Sequence, residues 1–287
     1  MSERLDGLQA QISALQAEHR LREILPLLRE YVGLVRVESG DDSSAYVAAL
    51  NELGSLCRTL RELDESEASF RMAAQIEARV RGRQNPDYAT CINNLAGTYR
   101  LKGDYETAEA LFAEAIEIYE DQMGTEHFVY LSALNNLGLV YQDLKRYEEA
   151  ERLHRKALAV LEKSGKRNAV FATTLNNLAS VAMATGRYAD AQSFLEETLV
   201  LYEQTEGERS VLYLTALNNL AAADYLAGDY AEAERRFAQA LALIDSVLGP
   251  EHPDRAKTSK NLARAREKLA DGGQSAAGPE RHRQAEP

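Results

Sequence analysis

Apolar residues recur along this chain in two alternating helical patterns. Ile92, Leu95, Ala96 and Tyr99 follow the i, i+3, i+4, i+7 spacing that gathers side chains on one face of a helix, as do Leu134, Leu137, Gly138 and Tyr141. A short break follows, Lys102-Gly103-Asp104, Thr185-Gly186-Arg187 or Ala227-Gly228-Asp229, with a glycine suited to the left-handed conformation after a helix end. A second periodic run then begins, as in Tyr105, Ala108, Leu111, Phe112, Ala115, Ile116 and Ile118, and closes near Gly124, Gly165, Gly207 or Gly249. The pattern predicts helical hairpins joined by short links.

The hairpins repeat. Asn93-Asn94-Leu95-Ala96 recurs as Asn135-Asn136-Leu137-Gly138, Asn176-Asn177-Leu178-Ala179 and Asn218-Asn219-Leu220-Ala221, at steps of 42, 41 and 42 residues. Asn51-Glu52-Leu53-Gly54 lies 42 residues before the first of these, and Lys260-Asn261-Leu262-Ala263 lies 42 after the last. Tyr105, Tyr147, Tyr188 and Tyr230 open the second helices, with Leu63 in the first copy. Ala108, Ala150, Ala191 and Ala233 follow, with Ser66 in the first, and then Phe70, Phe112, His154, Leu195 and Phe237. One such hairpin cannot bury both of its faces, so neighbours must stack to make a core.

Carried backwards, the register makes residues 21 to 38 a second helix with Pro26 near its start, and residues 3 to 18, with Leu5, Leu8, Ile12 and Leu15, its partner. The expected organisation is a degenerate hairpin over 1–42, five repeats over 43–251, a capping helix over 252–270 and a disordered tail over 271–287. The capping helix carries Lys257, Lys260, Arg264 and Lys268 on its polar side, and the tail has no periodic apolar residues.

Leu-Ala/Gly-x-x-Tyr in the first helix, followed by Gly-x-Tyr-x-x-Ala, resembles the tetratricopeptide repeat. The 42-residue period, Leu-Asn-Asn-Leu-Ala, Tyr147-Glu-Glu-Ala-Glu151 and Gly249-Pro-Glu-His-Pro-Asp254 resemble the kinesin-light-chain type of that family, over about residues 20 to 270. Kinesin light chains carry a long heptad region before their repeats, which residues 1 to 20 do not supply. Many bacterial proteins have similar repeats, and the Ala, Arg and Glu bias here is compatible with such a source. The resemblance implies an all-α solenoid, a right-handed superhelix of stacked antiparallel hairpins whose first helices line the concave side. It also implies a scaffold that binds a peptide or partner domain.

Helical geometry locates the candidate ligand face. With Ile92, Leu95, Ala96 and Tyr99 buried, Thr90, Asn94 and Gly97 point away, and Asn93 and Arg100 lie on the flank. Equivalent positions include Asn135, Asn136, Asn176, Asn177, Asn218 and Asn219, so the groove is expected to be polar and uncharged. An Asn amide both donates and accepts, so a column of them can pair with the main chain of an extended peptide. The same amides can instead fix the stacking of neighbouring hairpins. Arg58 and Arg100, on successive first helices, can meet an acidic ligand group or remain solvated.

Composition narrows the function classes. The 287 residues are 45% hydrophobic and 27% charged, which disfavours a wholly disordered chain. With 33 Lys and Arg against 45 Asp and Glu, a net charge of −12 opposes general nucleic-acid binding. No run approaches the roughly 20 apolar residues of a membrane span, and the N-terminus lacks a secretory pattern, so a cytoplasmic location without membrane contact is expected. Cys57 and Cys91 are too few for a disulfide framework or a zinc site. The five histidines lack helical metal spacing, and phosphate-binding and nucleophile motifs are missing. No catalytic residue, metal or cofactor is assigned, and His127 and His252 are expected to close the links between units. The leading expectation is a non-catalytic adaptor, and the alternative is a regulatory sensor or enzyme accessory that responds to a small molecule or peptide. Self-association through residues 1 to 20 is a further expectation for partners.

Overall fold

A computed structural model describes residues 2–18, 20–165, 167–249 and 252–272. Most of the tail expected over 271–287 lies outside the described residues. The described residues form thirteen α-helices: α1 (Ser2–Ala17), α2 (Leu21–Ser39), α3 (Ser44–Leu60), α4 (Leu63–Arg81), α5 (Pro86–Lys102), α6 (Tyr105–Met123), α7 (Phe128–Asp143), α8 (Tyr147–Lys163), α9 (Ala169–Ala184), α10 (Tyr188–Thr205), α11 (Val211–Ala227), α12 (Tyr230–Val247) and α13 (Pro253–Ala270). The architecture is all-α, built of stacked helical hairpins. It divides into two compact units, Met1–Leu153 and His154–Pro287, with the division inside α8.

In the first unit, α1/α2, α3/α4 and α5/α6 are hairpins, and each second helix packs on the next first helix, α2 on α3, α4 on α5 and α6 on α7. The first helices also touch one another, α3 with α5 and α5 with α7. The second unit repeats the scheme with α9/α10 and α11/α12, closed by α13 against α12 and α11.

Local chemistry sets the helix ends. Ser43, Asn85, Asn168 and Ser210 accept backbone N–H groups at the starts of α3, α5, α9 and α11. His127 and His252 do the same for α7 and α13 through Nδ1, at 3.4 and 3.3 Å, which is how they close the links. The first helices α3, α5, α7, α9 and α11 each end in a turn that returns two N–H groups to the last carbonyls, as when Gly103 N–H bonds to Arg100 O and Asp104 N–H to Tyr99 O. The turn residue is left-handed, φ 82° at Gly103, but Arg61 (φ 66°) and Lys145 (φ 61°) hold that place in two copies. Non-glycine residues there store backbone strain.

Small and large side chains alternate through the core. Ala108, Ala150, Ala191 and Ala233 are fully buried, beside Phe112, Leu195 and Phe237. Gly54 belongs to the same scheme, because a Cβ there would lie 2.9 Å from the Phe70 ring. Ser66 departs from the alanine column for a visible reason. Its hydroxyl donates to Gly54 O at 2.8 Å and shares a 2.9 Å hydrogen bond with buried Thr98 of the next hairpin. Val140, Val181 and Ala223 stand at the Thr98 position in the later repeats.

Candidate functional site

The asparagines run along the first helices, where two of these helices lie side by side. In the first unit, Asn136 Nδ2 approaches Asn93 Oδ1 at 3.5 Å; in the second, Asn219 donates to Asn176 at 3.0 Å. Both link the second Asn of one repeat to the first Asn of the repeat before. A second link comes from the residue two before the pair, with Thr258 donating to Asn218 Oδ1 at 3.1 Å and Asn51 to Cys91 Sγ at 3.4 Å. Asn135 and Asn177 are buried, whereas the other six asparagines of the four pairs are half-buried. The Asn177 Nδ2 group has no hydrogen-bond partner among the described residues.

Stacking therefore consumes part of the amides of Asn93, Asn136, Asn176, Asn218 and Asn219. A ligand has access to what remains of Asn93, Asn94 and Asn136 on one unit and of Asn176, Asn218 and Asn219 on the other. In the first unit, Asn93, Asn94 and Asn136 line a cavity of about 190 Å³ with Arg58, Gly97, Arg100, Leu101 and Phe112. Gly97 gives it room, Phe112 an apolar wall and Arg58 a charge.

Arg58 is the most unusual group in this cavity. Its guanidinium lies 5.5 Å over the Phe70 ring, donates to Asn94 O at 3.1 Å and occupies the space a side chain at Gly97 would need. It makes no salt bridge among the described residues, and burial, followed by the charge of Arg100, pulls its pKa below the ordinary arginine value. Arg100 differs, because Asp143 neutralises it at 2.8 Å. A half-buried cation that bonds only a neutral carbonyl is a ready partner for an anion.

The second unit carries different linings at matching positions. Leu214, Thr215, Asn218, Asn219, Ala222, Asp254, Lys257, Thr258 and Asn261 surround a cavity of about 110 Å³. Beside it, Ala222, Tyr225, Leu226, Phe237, Asn261 and Arg264 surround one of about 210 Å³. The sequence places Asn218 and Asn219 on this face but not the part that α13 contributes, although Arg264 lies one step after Ala222 in the repeat.

Another link between neighbouring hairpins went unread. Tyr99 donates to Glu67 at 3.0 Å and Tyr141 to Glu109 at 2.9 Å, each from a first helix back to the preceding second helix, 32 residues earlier. In the second unit the same spacing carries Gln192 donating to Asp224 at 2.8 Å, and Arg236 neutralises this buried carboxylate at 2.6 Å. The constant 32-residue separation of Glu and Tyr was the available signal.

No group of three His, Cys, Asp or Glu that would suit a metal ion occurs among the described residues. No helix of the described residues is long and apolar enough to cross a membrane.

The tetratricopeptide-repeat family model matches residues 46–121, 92–163, 170–246 and 214–272. The chain belongs to this family. This tetratricopeptide-repeat protein also shares its fold with solved structures of low identity. BtubC (BKLC) from P. vanneervenii is 22% identical, with 86% of this chain and 94% of that one covered and a TM-score of 0.61. A putative kinesin light chain of nearly identical TPR-like repeats from Podosopora anserina is 20% identical, covering 70% and 95%, with a TM-score of 0.58. The apo form of RapI is 15% identical, covering 93% and 99%, with a TM-score of 0.59. No match is found among curated protein sequences.

Proposed function

We propose that this tetratricopeptide-repeat protein is a non-catalytic adaptor that holds a peptide or partner segment on the open faces of its first helices, with an acidic group of the ligand seated at Arg58. The observation that carries this reading is the state of Arg58, held between Phe70 and Gly97 with no carboxylate paired to it among the described residues. An incoming carboxylate would regain there the charge pairing that burial denies the guanidinium. Asn94 and Asn136, in the same cavity, offer amide groups to the main chain beside that carboxylate. Asn135 and Asn177, being buried, belong to the packing in this reading.

The test compares fluorescein-labelled acidic, neutral and basic peptides of equal length by anisotropy, on the wild type and on Arg58→Met. Methionine keeps apolar contact with Phe70 and removes the charge. The expected result is a preference of the wild type for acidic peptides that falls at least tenfold in the variant, with helicity and melting unchanged. Equal binding of the acidic peptides by both proteins would overturn the assignment of Arg58.

A further inference from the structure

The terminal helix α13 departs in charge from the helices it extends. Among the first helices of the second unit, α9 contains no Asp, Glu, Lys or Arg, and α11 contains only the buried Asp224. Helix α13 contains six Lys and Arg against two carboxylates, in a chain whose net charge is −12. The cations are placed by position. Thr215, Asn218, Ala222 and Leu226 on α11 correspond, 42 residues on, to Lys257, Lys260, Arg264 and Lys268.

These four lie within one face of the helix, and all four are exposed. None makes a salt bridge among the described residues, while Arg255 and Arg266 on the same helix pair with Asp245 at 2.6 Å and Glu234 at 2.8 Å. Asp254, which lies 3.7 Å from His252, and the exposed Glu267 flank the row without pairing with it. Two of the cations line cavities already described. Lys257 shares one with Asn218, Asn219 and Thr258, and Arg264 shares the other while lying 5.7 Å over the Tyr225 ring.

Capping does not account for this row. A terminal helix must be polar where its missing partner helix would pack, and α13 presents Ala256, Ser259 and Ala263 at the places of Leu214, Leu217 and Ala221. The open-face positions carry no such requirement, since α9 and α11 leave them neutral.

We infer that the row Lys257, Lys260, Arg264 and Lys268 is a docking surface for an acidic peptide segment, whose main chain meets the half-buried amides of Asn218 and Asn219. The inference rests on the reading that first-helix open faces take the ligand, but it concerns a site that does not include Arg58. The row spans roughly 16 Å at 1.5 Å per residue, which matches about five residues of extended chain. A run of that length with three or four carboxylates can meet every cation.

The experiment uses the full chain and a fluorescein-labelled hexaglutamate peptide, with hexaglutamine as its neutral counterpart and a six-nucleotide oligothymidine as a second anion. To isolate the row, Arg58→Met serves as the background. Hexaglutamate is expected to bind this background, to weaken as salt rises from low to about 0.5 M, and to lose roughly tenfold when Lys257, Lys260, Arg264 and Lys268 are all changed to Gln. Unchanged hexaglutamate binding in the fourfold variant overturns the inference, whatever Arg58→Met has done on its own. Tighter binding of oligothymidine than of hexaglutamate, or a dimer by light scattering that only the fourfold variant dissolves, assigns the row to another partner and also overturns it. A single Lys260→Gln variant, expected to lose roughly twofold, guards against misfolding of the fourfold one.

Discussion

Asn219 Nδ2 donates to Asn176 Oδ1 at 3.0 Å, joining two first helices across 43 residues of chain. The bond lies where the helices are side by side, so it acts on the angle between hairpins as well as on stability. Replacing either residue by Ala should cost about 0.5–1.5 kcal/mol in urea unfolding, and the double replacement should cost less than the sum. Additive losses would show that the two amides do not interact.

The buried Asp224 ties three helices of the second unit together through Gln192 and Arg236. Asp224→Asn keeps the shape and removes the charge that Arg236 faces. Arg236 keeps Glu232 at 3.0 Å, so a loss of about 1.5 kcal/mol is expected, that of a hydrogen bond to a charged group. The control is Tyr141→Phe in the first unit, which removes only a hydroxyl bonded to Glu109 and should cost about 1 kcal/mol.

His154 is buried at a place that Phe70, Phe112 and Phe237 fill in other repeats, and burial pushes its pKa down to about 4. Between its ordinary value and that depressed one, the unfolded chain takes up a proton that the folded chain refuses. Stability should therefore fall as pH drops from about 6.5 to about 4, by on the order of 3 kcal/mol from this group. His154→Phe should flatten this part of the profile. Chemical denaturation at pH 7 and pH 4.5 checks it, and parallel losses in both proteins would contradict it.

Lys145 occupies the left-handed turn position that Gly103 fills in the preceding hairpin. Lys145→Gly should raise stability by up to about 1 kcal/mol, the relief of strain being partly offset by a freer unfolded chain. Gly103→Lys should do the reverse. A lower melting temperature for Lys145→Gly would mean that the lysine side chain stabilises the turn in some other way.

The hairpins were legible in the sequence because a period near 42 fixes both apolar faces of every helix at once. The Asn pairs were legible as a column, but their burial was not. A helical wheel gives each helix one buried face, whereas α5 and α11 pack against both neighbouring first helices as well as against second helices. That extra contact half-covers Asn93 and Asn94 and leads to the bonds of Asn136 and Asn219. The state of Arg58 was beyond spacing arguments too, since it depends on Gly97 leaving room for a side chain that starts 39 residues earlier.

Ser66 and Thr98 sit on different hairpins, and each is suited to the other. The repeats are consequently not interchangeable parts. Excising residues 84–125 would keep the period and every apolar face, yet it would set the Ser66 hydroxyl opposite Val140, where only its bond to Gly54 O would survive. Change in the number of repeats, by duplication or loss, would thus be resisted at this junction more than at those whose matching positions carry no hydroxyl. The order of hairpins along the chain is part of what its sequence specifies.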